Sequence, residues 1–227
     1  MSKAIVIGAS GGVGSALSDQ LELRGYAVTR LHRSSSLRID FDDEMSIAAA
    51  AETLRDQGPF DLVIVASGVL TCGVGTPEKT FRAIRGESFD DYFRINATGP
   101  ALVARHFIDL LRDDGRAVFA ALSARVGSIG DNRLGGWIGY RASKAALNQI
   151  VHTIAIELAR TRKQTIAVAL HPGTVDTDLS KPFQRNVPEG QLLAPETSAG
   201  ALLDVIDQLG PDDSGGCFDW RGERIPA

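Results

Sequence analysis

Apolar runs alternate with amphipathic stretches along the whole chain. Ala4–Ile7, Leu62–Ala66, Ala117–Ala121 and Ile166–Leu170 are almost unbroken apolar segments rich in valine, isoleucine and alanine. Such runs predict strands buried on both faces, as in a parallel sheet. Ala27–Leu31, Leu37–Ile39 and the short Cys217–Asp219 complete the expected strands. Helical spacing of apolar residues predicts helices near 13–24, 44–56, 88–112, 140–161 and 196–209. Strand and helix alternate without linker or repeat, which predicts one doubly wound α/β domain over residues 1–227. Each crossover should be right-handed, and ligands should bind beyond the carboxyl ends of the strands, where the strand order reverses. Residues 174–195 break the pattern. Pro182, Pro188, Gly190 and Pro195 fall there with little periodicity, so a loop is expected, either a lid over a site or a plain surface connection.

Composition narrows the function. At 227 residues, with 44% hydrophobic and 23% charged residues, the chain is long enough for one sizeable core. A net charge of −4 leaves no electrostatic footprint for nucleic acid or an anionic membrane, so neither is an expected partner. Cys72 and Cys217 lack metal-ligand spacing and read as reduced, buried thiols; no metal site is expected. No apolar run approaches the ~20 residues of a membrane span. The N-terminus passes directly into a strand rather than a signal peptide, so a cytoplasmic protein is expected.

Two patches carry candidate chemistry. After the first strand come Gly8, Gly12 and Gly14, followed by a helical stretch with apolar residues at Leu17 and Leu21. Strand, glycine turn and helix are what a dinucleotide-binding loop requires. Gly8 would allow the tight turn, Gly12 would let backbone approach a pyrophosphate, and Gly14 would let the helix pack on the strand. An ordinary glycine-rich turn is the competing reading. Far downstream, Tyr140 and Lys144 stand four residues apart at a helix start, hence on one face. An ammonium beside a phenol would favour the phenolate and make the tyrosine a proton relay, although a solvated helix face has the same spacing.

The Gly-x-x-x-Gly-x-Gly spacing from Gly8 to Gly14, together with Tyr140-x-x-x-Lys144, resembles the short-chain dehydrogenase/reductase family in its single-domain form. Asn96, in Phe93-Arg94-Ile95-Asn96-Ala97-Thr98-Gly99, matches that family's asparagine. His171-Pro172-Gly173-Thr174-Val175-Asp176-Thr177 is similar to its Pro-Gly-x-Val-x-Thr segment. The motifs keep the family's order and span nearly the whole chain. Ser123–Ile129 and the long gap to Tyr140 resemble the carbonyl-reductase branch, sniffer and C-factor-like.

The resemblance implies a Rossmann-type fold and hydride transfer between a nicotinamide cofactor and a carbonyl or alcohol. Tyr140 would donate the proton, Lys144 would lower the phenol pKa and hold the ribose, and Asn96 would join the relay. The cofactor would lie on Gly8, Ser10, Gly11, Gly12, Val13 and Gly14, then on Ala66, Ser67 and Gly68. Pro172, Gly173, Thr174, Val175 and Thr177 would meet its nicotinamide end. Val63-Ile64-Val65-Ala66-Ser67-Gly68 departs from the family's Asn-Asn-Ala-Gly, because both asparagines are missing. NADP is expected in preference to NAD. No acidic residue lies between Glu22 and Asp40, whereas Arg33, with Ser34, offers a guanidinium suited to a 2′-phosphate. A solvated basic loop is the alternative. Asp40 and Phe41 would lie at the adenine, unless Asp40 or Asp42 serves as a helix N-cap. Ser123 is the expected polarising serine and Ser128 the alternative. Ala124 occupies the family serine's usual place, so the site having no such serine is a third reading. Trp137 and Arg125 would either line the substrate pocket or, for Trp137, pack in the core. The expected substrate is a small carbonyl or alcohol, and the expected assembly is a homodimer or homotetramer through the helices near 88–112 and 140–161. A nucleotide-binding signalling module without turnover is the competing function, and an epimerase of the same superfamily a weaker one.

Overall fold

The computed structural model describes residues 1–71 and 76–227; Cys72 therefore lies outside the described residues. Six strands form one parallel sheet in the order β2-β1-β3-β4-β5-β8. They are β1 (Lys3–Ile7), β2 (Ala27–Leu31), β3 (Leu62–Val65), β4 (Ala117–Leu122), β5 (Thr165–His171) and β8 (Cys217–Asp219). The order reverses beside β1, which pairs with β2 on one side and β3 on the other, so a crevice opens at their carboxyl ends.

Period-two alternation divides the core into two layers. Ile5, Ile7, Val63, Val65 and Phe119 face one layer, with Ile47 and Ala50 of α2 (Glu44–Leu54), Val103 and Phe107 of α4 (Gly99–Phe107), and Leu147 and Val151 of α5 (Ile138–Thr161). Ala4, Val6, Leu62, Ile64 and Val118 face the other, with Leu17 and Leu21 of α1 (Gly12–Leu23) and Leu202 and Ile206 of α6 (Pro195–Gln208). Strands packed on both faces account for the unbroken apolar runs. Among the described residues, no helix is long and apolar enough to cross a membrane.

Three expected elements differ. Leu37–Ile39 is not a strand; only one bridge joins His32 to Arg38. Ser35 Oγ bonds the carbonyls of His32 and Leu37, closing a local turn in place of a ladder. The long helix expected at 88–112 is divided into α3 (Gly86–Phe93), a π-helical turn (Arg94–Thr98), α4 and a 3-10 turn (Ile108–Leu110). Pro100 has no N–H to offer the carbonyl of Asn96, so the regular i to i−4 bonding cannot run through this point. The 174–195 segment contains a two-strand parallel ladder, β6 (Thr174–Val175) with β7 (Leu192–Leu193), and a 3-10 helix (Lys181–Asn186).

Candidate active site

The glycine turn is closed by contacts that exclude side chains. Gly8 has φ +86°, and a Cβ there would lie 2.6 Å from Ser67 Oγ. A Cβ on Gly14 would lie 2.2 Å from the carbonyl oxygen of Gly8, so the first turn of α1 packs directly on the loop. Gly12 meets a different neighbour: its Cβ would be 2.6 Å from Thr177 Cγ2, which brings the segment after β6 onto the same turn. Gly11 is the N-cap of α1 and contributes no side chain, leaving the amides around Val13 at the helix's electropositive end.

A cleft of about 350 Å³ opens above this turn, at the reversal of strand order. Gly8, Ser10 and Gly11 form one wall, and Ala66, Ser67 and Gly68 after β3 form another. His32, Arg33 and the Ile39–Asp42 stretch close the far end. Arg33 is exposed there. Ser34 is not part of this lining; its amide donates to His32 Nδ1 at 3.2 Å. Phe41 packs so closely on Gly99 that a Cβ there would be 2.1 Å from its ring. Asp40 accepts from the amide of Asp42 at 3.1 Å and from Arg38 at 2.5 Å, contacts that hold its carboxyl below the usual aspartate range. The N-cap of α2 is neither Asp40 nor Asp42 but Asp43, whose carboxylate accepts from the Met45 amide at 3.1 Å.

The second centre lies beside the first. Asn96, fully buried in the π-helical turn, clamps Val69 with two bonds. Its Oδ1 accepts from Val69 N at 2.9 Å and its Nδ2 donates to Val69 O at 3.0 Å. Nδ2 also donates to Ser143 Oγ at 3.1 Å, and Ser143 Oγ donates to the Tyr140 carbonyl at 2.8 Å. Asn96 thereby ties the segment after β3 to the N-terminal part of α5. Gly68 stands between the two centres: a Cβ there would be 3.3 Å from Asn96 Oδ1 and 3.5 Å from Lys144 Nζ.

Tyr140 and Lys144 share one face of α5, with Lys144 Nζ 5.9 Å from the centre of the phenol ring. The ammonium donates to the Leu122 carbonyl at the end of β4, at 2.8 Å. Burial pushes the phenol pKa up to about 12 and the ammonium down to about 8, so desolvation, not mutual attraction, dominates both groups here. The expected lowering of the phenol by its lysine is absent from this state.

Neither candidate serine makes a hydrogen bond to Tyr140. Ser123 Oγ donates to Asn148 Oδ1 at 2.6 Å. Ser128 Oγ accepts from the Asp131 amide at 3.1 Å. It is Ala124 that clusters with Tyr140, Tyr92 and Leu70. Asn148 was not anticipated, although the run Tyr140, Lys144, Asn148 at four-residue intervals marks one helix face. Arg125 turns away to Asp131 and Asp219, both at 3.2 Å. Trp137 is half-buried and lies in an aromatic row, 6.3 Å from Tyr140 and 5.2 Å from Phe183 of the 174–195 segment. Pro172 O accepts from Ser198 Oγ at 2.7 Å. Gly173, at φ +81°, packs against Leu193 and Trp220. Val175 is buried in the β6–β7 ladder, while Thr174 is exposed.

The short chain dehydrogenase family matches residues 2–188. The chain belongs to that family and is an NAD(P)-dependent oxidoreductase of it. Two relatives follow it closely. One is the C-signal of Myxococcus xanthus, 36% identical over 74% of this chain and 93% of its own. The other is the 1-hydroxy-2-glutathionyl-2-methyl-3-butene dehydrogenase of Rhodococcus sp. (strain AD45), 32% identical over 95% of each. Among solved structures, the carbonyl reductase Sniffer of D. melanogaster superposes with TM-score 0.83 at 23% identity, covering 100% of this chain and 99% of its own. A short-chain dehydrogenase/reductase from Burkholderia multivorans with bound NADP gives TM-score 0.83 at 25% identity, covering 100% and 99%.

Proposed function

We propose that this protein is an NADP-dependent carbonyl reductase, or an alcohol dehydrogenase in the reverse direction, with Tyr140 as proton donor. The position of Gly68 carries the reading. It lines the cleft and also lies against Asn96 and Lys144, so the cleft leads directly into the Tyr140 centre.

The cleft suits a dinucleotide. Its glycine turn admits no Cβ at Gly8 or Gly14 and offers a helix N-terminus for phosphate. Gly8, Ser10, Gly11, Gly12, Val13 and Gly14 would hold the pyrophosphate. Arg33 would pair with the 2′-phosphate, with Asp40 and Phe41 at the adenine end. Ala66, Ser67 and Gly68, with Pro172, Gly173, Thr174, Val175 and Thr177, would frame the rest. The NADP-bound relative from Burkholderia multivorans supports this choice of cofactor. When bound, NADPH supplies the hydride.

The chain's own residues handle the proton. A phenol held neutral by burial is a proton donor at neutral pH, placed to protonate an alkoxide as it forms. Lys144 supplies positive charge within reach of Tyr140 and of the cleft, stabilising the phenolate left behind. Asn96 fixes Val69 and the start of α5, keeping these groups in register. Residues 174–195 act as a lid, with Phe183 against Trp137 on the substrate side. In solution the chain would form a homodimer or homotetramer through α4 and α5, which light scattering would test.

Stopped assays of NADPH oxidation with a panel of aldehydes and ketones test the activity, and Tyr140→Phe tests the donor. The variant should lose about 10²-fold or more in kcat while binding NADPH normally. Near wild-type turnover would remove Tyr140 from the role. A second reading, a nucleotide-binding module without turnover, draws on alanine at position 124, in the cluster that contains Tyr140, and on the engagement of Ser123 with Asn148. NADPH binding without oxidation on any member of the panel would favour it.

A further inference from the structure

The start of α5 is held by a residue outside the motifs. Trp137, its N-cap, sits in the left-handed region at φ 51° and makes no side-chain capping bond. Gly135 and Gly136 before it also have positive φ, which glycine adopts freely, so the strain at this helix entry falls on Trp137. Such a helix end would fray, yet Tyr140 lies in its first turn. The segment at Glu78 crosses this end and supplies the missing acceptors. The Glu78 carbonyl accepts from Trp137 N at 2.5 Å. Its carboxylate, on a residue only 6% exposed, accepts from Gly139 N at 3.3 Å. A Cβ on Gly139 would lie 3.2 Å from that carboxylate and 2.6 Å from the Tyr92 ring, so the helix start is seated against both. No cation forms a salt bridge to Glu78 among the described residues.

We infer that Glu78 is a positioning residue for the reaction, a cap supplied from another loop that fixes the Ile138–Gly139 peptide, immediately before Tyr140, and so aims the phenol. The inference rests on the reading of Tyr140 as proton donor. A small error in aim is enough to matter, because a displacement of about 1 Å at a reacting group can lower the rate by about 10²-fold.

The test uses the full chain with NADPH and para-nitrobenzaldehyde as probe substrate. Glu78→Gln keeps an acceptor for Gly139 N and should retain kcat within about 3-fold, the range of a preserved hydrogen bond. Glu78→Ala should lose about 10-fold or more in kcat, with NADPH affinity unchanged. Glu78→Leu removes the acceptor but fills the space, and serves if the alanine variant does not fold. Amide hydrogen exchange should accelerate in residues 138–143 of the alanine or leucine variant and stay unchanged in residues 150–160. Unchanged kcat in both of these variants overturns the inference. So does an equal loss in Glu78→Gln accompanied by weakened NADPH binding, which would mark general structural damage. Tyr140→Phe, run in parallel, separates the two ideas. If it loses turnover while the Glu78 variants do not, only the positioning role fails. If it retains turnover, the donor assignment itself fails.

Discussion

Replacing Lys144 by methionine should make the cofactor-free protein more stable at neutral pH while abolishing its activity. The side chain is 3% exposed, and among the described residues its ammonium has one hydrogen-bond partner, the Leu122 carbonyl at 2.8 Å. Burial pushes its pKa from the ordinary 10.5 down to about 8, with Cys217 acting in the opposite sense. That fall corresponds to roughly 3 kcal/mol held against the charged form at neutral pH. Methionine removes the charge and keeps most of the volume, but leaves the Leu122 carbonyl without this donor, at about 1 kcal/mol. The net gain should be about 2 kcal/mol. The sign with pH follows from proton binding. Between about 8 and 10.5 the unfolded lysine is protonated and the folded one is not, so wild-type stability from this group rises with pH across that window. The advantage of the methionine variant should therefore be largest near pH ~7 and should shrink by about pH 9.5. Tyr140 acts oppositely. Its raised pKa means stability that is lost as pH rises from about 10 through about 12, so measurements belong below that range. Urea titrations of both proteins without cofactor, at the two pH values, give the comparison. A methionine variant that is less stable than wild type near neutrality, or a difference that ignores pH, would refute the argument.

Three further outcomes follow from the site. Arg33→Ala should weaken NADPH binding by about 10- to 100-fold, the scale of one charge-assisted contact, and leave NADH binding unchanged; calorimetric titration with both cofactors checks it, and equal losses would count against a 2′-phosphate contact. Ala124→Ser should raise kcat several-fold on a reducible aldehyde, because it adds a hydroxyl donor to the cluster that contains Tyr140; a slower enzyme would show that the pocket needs the methyl. Phe183→Ala should raise KM more than it lowers kcat, since it opens the aromatic row without touching the proton donor; a pure kcat effect in steady-state assays would contradict its place in the lid.

Much of this architecture is legible in residue order because burial on both sheet faces leaves unbroken apolar runs such as Ile5-Val6-Ile7 and Val63-Ile64-Val65. The glycine turn is legible for a related reason. Gly8 and Gly14 meet one another across a few residues, and only glycine fits there. The misreadings have local causes. Leu37–Ile39 has strand-like residues, but Ser35 captures the neighbouring carbonyls. The 88–112 stretch keeps helical periodicity through the π turn, which the single signal of Pro100 betrays. The bond from Ser123 to Asn148 depends on how the chain turns after β4, and periodicity does not report that turn. The contacts that join Thr177 to Gly12, and Glu78 to Gly139, link residues far apart in sequence. Their signal is geometric: a small residue with no room for a Cβ.

The distribution of these contacts explains how the same residues serve fold and chemistry. From within the π-helical turn the Asn96 side chain bonds Val69 and Ser143, so it locks the segment after β3 to α5. The Gly139–Tyr140 start of α5 is fixed by Ser143 from within and Glu78 from outside. Lys144 is different, because its one bond to Leu122 does not offset the loss of water. Of the groups around Tyr140, the ammonium is therefore the one the fold would be more stable without. A buried charge that costs stability before cofactor arrives is best explained by what it does afterwards, when a negative charge develops beside it. On that reasoning Lys144 belongs to the chemistry, Asn96 to the scaffold that aims it, and the two can be told apart by the sign of their effect on stability: Asn96→Ala should destabilise the cofactor-free protein by about 1–3 kcal/mol, leaving Val69 unpaired, where Lys144→Met stabilises it. Equal signs in the same urea titrations would mean that the division is wrong.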